Sequence, residues 1–162
     1  MKLLVTGAAG FIGTNFVRLV LGEEYAGRYE VAAYDALTYA GNLANLKDCE
    51  RSGHFHFIKG DIRNPEQVDA ALAGVDAVVN FAAESHVDRS ILAGADFIST
   101  NIDGVRILAE AAVRRHVRRF IQVSTDEVYG SLEPTGLFVE DSPLHPNSPY
   151  SCLLYTSPSP RD

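Results

Sequence analysis

Short apolar runs alternate with longer stretches of helical periodicity along most of the chain. Five runs, at 2–6, 29–34, 54–59, 77–81 and 119–124, are nearly continuous in apolar character, which predicts strands buried on both faces. Helices are predicted over 10–21, 65–73 and about 97–115. In the last, Ile98, Ile102, Val105, Leu108, Ala109 and Ala112 recur at helical spacing. Asn64 stands as the cap ahead of Pro65, a residue suited to a first helical turn. This alternation predicts an α/β class: a doubly wound parallel sheet with crossover helices and ligands at the carboxyl ends of its strands. From Leu132 onward Pro134, Gly136, Pro143, Pro146 and Pro149 interrupt any long element, so loops skirting the site are expected there.

Composition narrows the function classes. With 162 residues, 46% apolar and 22% charged, the chain suits one globular domain with a real core. A formal charge of -7 opposes the phosphate backbone, so nucleic acid is not an expected partner. Cys49 and Cys152 stand far apart, which indicates neither a disulfide framework nor a thiolate metal site. The apolar run after Met1 is too short for a signal peptide and no membrane-length apolar run occurs, so a cytoplasmic location and no membrane partner are expected. His54 and His56 share a strand face without a third ligand at a convincing spacing, so no metal is expected. The basic cluster Arg114, Arg115, His116, Arg118 and Arg119 sits where cations favour a helix C-terminus, and reads as a solvated helix end.

The first strand runs into Gly7, Gly10 and Gly13, a GxxGxxG turn that opens a helix. In that context Gly7 permits a tight turn, Gly10 lets backbone amides approach a pyrophosphate, and Gly13 allows the helix to pack closely on the sheet. The helix N-terminus then attracts the phosphate charge. Asp35 closes the second strand, where an acidic residue bonds the adenosine ribose hydroxyls. Its carboxylate would repel a 2′-phosphate, which favours NAD over NADP. Strand, glycines, helix and acid in register predict a Rossmann-type NAD site, with Asp61 and Ile62 at the end of the third strand on the adenine side.

Two further strand exits carry candidate chemistry. The fourth runs into Phe81-Ala82-Ala83-Glu84-Ser85-His86, the fifth into Ser124-Thr125-Asp126-Glu127. Adjacent side chains diverge on an extended chain, but a turn can aim Asp126 and Glu127 inward together, where neighbouring carboxyls can divide acid and base roles. The alternative is a pair capping a strand in solvent. Tyr150 follows Pro149 at an expected helix start. Tyrosine titrates at about pH 10, so a tyrosine base needs a nearby cation; the alternative is a structural ring.

These stretches resemble the extended short-chain dehydrogenase/reductase family. The resemblance rests on TGAAGFIG from Thr6, YDALTYAGN from Tyr34, AAESHVDRS from Ala82, STDEVYG from Ser124 and SPYS from Ser148. The acid pair in STDEVYG points to the members that dehydrate a nucleotide-activated hexose, with dTDP-glucose as the expected substrate. By that resemblance Tyr150 takes the C4 hydroxyl proton as hydride passes to NAD, and Thr125 orients the oxygen. Glu127 then removes the C5 proton, Asp126 protonates the departing C6 hydroxyl, and hydride returns to C6. The resemblance also implies that Phe11 and Ile12 lie on the pyrophosphate turn and that Asp35, Ala36, Leu37, Thr38, Asp61 and Ile62 take the adenosine half. Phe81, Ala82, Ala83, Ser85 and Thr100 would line the rest of the NAD site, with Ser85 and His86 near the sugar, and the full-length protein would be a homodimer. An epimerase or decarboxylase of the same family, or a non-catalytic NAD-binding fragment, is the alternative.

The chain departs from the family in two ways. A lysine is expected four residues after the tyrosine, and Leu154 stands there. Family members also continue far beyond this length. Residues 1–151 are therefore expected to be an incomplete Rossmann domain, truncated before its last strands and small substrate domain. Residues 152–162 are expected to be a non-family tail with no helical pattern, the product of a truncated or mis-joined reading frame.

Overall fold

The computed structural model describes residues 1–85, 94–132 and 136–155, apart from the Pro149 side chain. Within them the strands β1 (Lys2–Thr6), β2 (Glu30–Asp35), β3 (Phe55–Lys59), β4 (Ala77–Asn80) and β5 (Arg119–Gln122) form one parallel sheet in the order β3-β2-β1-β4-β5. The order reverses between β1 and β4, which opens a crevice at the carboxyl ends of those two strands. The chain thus has the Rossmann-type architecture, and each strand falls within a residue or two of the run that predicted it.

Alternation along the strands feeds two cores. Leu4, Ala32, Tyr34 and Val78 face one side, where Val68 of helix α2 (Pro65–Ala71) and Leu108 and Ala112 of helix α4 (Val105–Arg114) cover them. Leu3, Val5, Val31 and Ala33 face the other, beneath Val17 and Val20 of helix α1 (Phe11–Leu21). The three central strands are the buried ones: β4 at every position, β1 and β2 at all but their first residues, half-buried Lys2 and exposed Glu30. β3 and β5, expected to be buried on both faces, lie at the two edges of the sheet and are partly exposed, with Ile121 at 51%. Apolar content alone does not separate an edge strand from a central one.

Capping follows the local sequence. The Asn64 side chain accepts the Gln67 amide at 3.0 Å, with Pro65 at the first position of α2. The helix expected over 97–115 begins as α3 (Gly94–Ile98), passes through a π turn at Ser99–Gly104 and continues as α4. A π turn displaces side chains without changing their apolar spacing much, so periodicity does not reveal it. Helix α5 (Pro149–Tyr155) corrects the expectation that the helical pattern ends at Ser151. Ser148 and Ser151 exchange side-chain bonds with each other's amides at 3.1 and 3.2 Å, a reciprocal cap that starts the helix, and Leu154 is buried on its inner face. Residues 156–162 lie outside the described residues, and no described helix is long and apolar enough to cross a membrane. At the end of α4, Arg114 and Arg115 are not merely solvated: both pair with Asp69 of α2, Arg114 at 4.0 Å.

One polar residue ties the centre of the sheet together. Asn80 is fully buried; its Oδ1 accepts from the Thr6 hydroxyl and, at 3.2 Å, from the Ala82 amide, while its Nδ2 donates to Gln122 at 2.7 Å. Replacing it by Leu strands those buried partners, so Asn80→Leu is expected to cost about 2–4 kcal/mol in urea unfolding. A loss under about 0.5 kcal/mol contradicts this account.

Candidate functional site

Every strand exit contributes to one cavity of about 400 Å³. The first exit sets its floor. Gly7 turns with φ +65, and a Cβ there would lie 2.6 Å from the Phe81 carbonyl carbon and 2.7 Å from the Ala82 nitrogen. A Cβ on Gly13 would lie 2.2 Å from the Gly7 oxygen, so α1 starts directly against the turn. Gly10 differs: a Cβ would approach only the Gly7 oxygen, at 3.3 Å, and its open side lines the cavity. The turn is closed by the Gly10 amide donating to Gly7 at 3.2 Å and the Thr14 hydroxyl donating to Ala8 at 2.9 Å. Phe11, Ile12 and Gly13 also line the cavity, and the first-turn amides of α1 have no intrahelical acceptor. Together with the positive end of the helix dipole they make a cradle for an anion.

β2 delivers Asp35 to the same turn. The carboxylate is buried and accepts from the Ala9 amide at 2.9 Å and the Leu37 amide at 2.7 Å. Leu37 achieves this with φ +56, and Gly41 packs so closely that a Cβ there would lie 2.7 Å from Asp35 Oδ1. Asp35 therefore braces the glycine turn, and with one bond on each oxygen it keeps acceptor capacity at a cavity that it lines with Ala36 and Thr38. Leu37 is not on the cavity wall; its partly buried side chain packs against the core beneath α1.

Asp61, Ile62 and Arg63 follow β3 onto the wall. Arg63 grips the Asp61 carboxylate at 2.6 Å and holds it below the usual carboxylate range. Burial pushes the Tyr34 phenol well above the ordinary tyrosine value, and its hydroxyl donates to the Asp61 carbonyl at 2.9 Å.

Phe81, Ala82, Ala83 and Ser85 leave β4 along the opposite wall, joined by Thr100 from the π turn. Asn101, fully buried beside Thr100, accepts from the Glu84 amide and donates to the Glu84 carbonyl, both at 2.9 Å, and so fixes this segment. Sequence reasoning missed it, though a signal existed: Asn101 is a polar residue on the apolar stripe that continues through Val105 and Leu108. The Tyr39 hydroxyl reaches from the β2 side to the Ser85 carbonyl at 3.3 Å. His86, with the rest of its motif through Ser90, lies outside the described residues.

Val123 and Ser124 line the cavity beyond β5, and the chain then tightens into a 3-10 turn over Asp126–Tyr129. Thr125 caps that turn, accepting the Glu127 amide at 3.3 Å and donating to Asp126 at 3.3 Å. Tyr150, on α5, lines the cavity with Leu154 and meets Phe97 edge-on at 6.3 Å between ring centroids. Thr125, Asp126 and Glu127 stand beside the Tyr150 hydroxyl rather than on the cavity wall. Burial pushes the Tyr150 phenol above its ordinary value; a hydrogen bond with Thr125 opposes this, while Glu127, Asp126 and Tyr39 reinforce it. No cation is among the described groups acting on it. Tyr129 stacks on Phe138, centroids 5.1 Å apart, and has a packing role. Among the described residues no three His, Cys, Asp or Glu side chains are grouped to hold a metal.

A glycine cradle at the reversal point of a parallel sheet, with an acid at the next strand exit, defines a dinucleotide-binding type of domain. The chain belongs to the GDP-mannose 4,6 dehydratase family, which it matches over residues 4–153. It is 48% identical over 153 residues to a dTDP-glucose 4,6-dehydratase of Streptomyces niveus, covering 93% of this chain and 45% of that protein. Among solved structures, the dTDP-glucose 4,6-dehydratase DesIV of Streptomyces venezuelae, with NAD bound, superposes with a TM-score of 0.90 at 50% identity, over 97% of this chain and 49% of that one. A UDP-glucuronic acid 4-epimerase of Bacillus cereus, in complex with UDP-glucuronic acid and NAD, gives a TM-score of 0.83 at 32% identity over 96% and 49%. The chain spans about half the length of the curated relatives it matches.

The raised phenols set an alkaline prediction. Tyr34 and Tyr150 bind their protons more tightly in the folded chain, so their contribution to stability is complete below the unfolded value of about 10 and is lost as pH rises through the higher folded values. Leu154→Lys places an ammonium one helical turn from Tyr150, and in an absorbance titration it is expected to lower the Tyr150 transition alone. An unchanged alkaline titration contradicts the placement of that side chain.

Proposed function

We propose that this chain is the NAD-binding half of an enzyme that dehydrates a nucleotide-activated hexose, with dTDP-glucose as substrate and dTDP-4-keto-6-deoxyglucose as product. The observation that carries the cofactor assignment is the Gly10 cradle beside the buried Asp35 carboxylate. A diphosphate fits where the first-turn amides line open space, and the ribose hydroxyls fit the free lone pairs of Asp35. The negative charge of Asp35 disfavours a 2′-phosphate, which supports NAD over NADP. When bound, NAD supplies a reversible acceptor of two electrons from the sugar C4 position.

The chain's own residues divide the remaining work. Tyr150 takes the proton of the C4 hydroxyl, and Thr125, whose hydroxyl acts on the phenol, holds that oxygen in line. Glu127 removes the C5 proton once C4 is a ketone, and returns it to C5 when the two electrons taken from C4 come back as hydride at C6. Asp126 gives a proton to the C6 oxygen as it leaves as water. The 3-10 turn supports this division because it brings both carboxyls close enough to Tyr150 to act on its charge. The nucleotide-sugar 4-epimerases share the fold at lower identity; the adjacent acid pair is what favours dehydration here.

Residues 1–151 are read as the cofactor domain; of 152–162, the first four residues complete α5 and the family match reaches residue 153, so the segment foreign to the family is read as starting after that. With Leu154 in place of a cation, Tyr150 keeps its proton at neutral pH, so the chain as it stands binds cofactor but is impaired as a base. The full-length protein is read as a homodimer joined through helices flanking the sheet.

Glu127→Gln in a full-length form carrying Lys at position 154 is expected to reduce dehydration by about 10²–10⁴-fold while leaving C4 oxidation measurable as NADH absorbance. Dehydration at the unsubstituted rate rejects the role given to Glu127.

A further inference from the structure

Both peptide units that meet at Ala9 are held. Its amide donates to Asp35. Its carbonyl, buried away from water, accepts two donors from the connection between β2 and β3: the Asn42 amide at 3.1 Å and the Asn45 side-chain amide at 3.0 Å. The plane of the Ala9–Gly10 peptide, which carries that carbonyl, sets the backbone of Gly10, which is extended at φ -76 and ψ 172 just ahead of α1. A glycine resists rotation of its flanking peptides less than any other residue. The orientation of the amides of Phe11 and Ile12, two residues that line the cavity, thus depends on what grips the Ala9 carbonyl.

Asn45 is itself braced. Arg18, on α1, donates to the Asn45 carbonyl at 2.7 Å and forks onto the Asp48 carboxylate at 2.8 and 3.2 Å. Leu46, next in sequence, is fully buried in the core under α1, and Asn42 caps the short 3-10 turn that carries both, accepting the Ala44 amide at 3.0 Å. Arg18 and Asp48 lie 30 residues apart in sequence, so this bracket is a tertiary device, fastened to the helix whose first turn it aims.

We propose that Asn45, braced by Arg18 and Asp48, is a positioning residue for the diphosphate-binding turn. It touches neither the cavity nor a ligand; it fixes the Ala9–Gly10 peptide so that the helix-start amides are aimed before the ligand arrives. This rests on the reading that the turn holds the NAD diphosphate.

The test compares the 162-residue chain with Asn45→Ala and Asn45→Asp, using NAD, ADP and adenosine as probes and hydrogen exchange of the 10–12 amides without ligand. Losing one charge-free hydrogen bond that orients the cradle is expected to weaken NAD and ADP about five- to tenfold, leave adenosine unchanged and speed exchange at the turn. Asn45→Asp is expected to weaken NAD further, because a carboxylate offers the Ala9 carbonyl no proton. Unchanged NAD affinity in Asn45→Ala overturns the proposal, as does an equal loss for adenosine, which marks a purely structural role. If the unsubstituted chain takes up no NAD, the cofactor assignment fails, and the exchange rates alone decide: faster exchange in Asn45→Ala upholds the role of Asn45, and unchanged rates overturn it.

Discussion

The contact between the start of α1 and the end of β1 governs the geometry of this domain. Gly13 sits so close to the Gly7 carbonyl that any side chain would collide with it, and Gly7 in turn presses on the peptide leaving β4. Three chain segments meet there with hydrogen as the only side chain between two of them. That approach brings the positive end of α1 to the place where the strand order reverses, and the cavity forms around it. Because the contact is between backbones, no rotamer change can relieve a substitution there.

The polar residues around this contact divide between bracing and chemistry. Asp35, Asn45, Asn80 and Asn101 each bind backbone or buried polar groups at a strand exit, and together they hold four separate segments in fixed relation. Thr125, Asp126, Glu127 and Tyr150 form a second group on the far side, linked through the Tyr150 hydroxyl. That second group is balanced toward retaining the phenolic proton: burial and two carboxylates favour the neutral ring, and Leu154 fills the place from which a cation could oppose them. On the proposed reading, the bracing bonds of the cofactor side are in place, while no cation is among the described groups acting on Tyr150.

What was legible in the sequence was local. The GxxGxxG turn, the acid closing β2 and the Asn64-Pro65 helix start each depend on residues adjacent along the chain, and each stands where its pattern placed it. What depended on tertiary neighbours was not legible. Whether β3 and β5 are edge strands is decided by sheet order, the π turn is invisible to apolar spacing, and α5 continues to Tyr155 because Leu154 finds an interior to enter. Asp35 shows the limit most clearly. Its position follows from the motif, but its bonds to the Ala9 and Leu37 amides require a left-handed Leu37 that no pattern announces. Leu37, assigned to the site from the family resemblance, is partly buried and packs against the core rather than on the cavity wall.

The central claim, that the first turn of α1 holds a dinucleotide diphosphate, is tested most directly by following backbone amide resonances as NAD is added. The account predicts saturable shifts concentrated at Gly10, Phe11, Ile12 and the residues flanking Asp35, with the β5 edge and the Arg114–Asp69 surface unmoved. Shifts confined to that basic surface, or none at the glycine turn under saturating NAD, would contradict it.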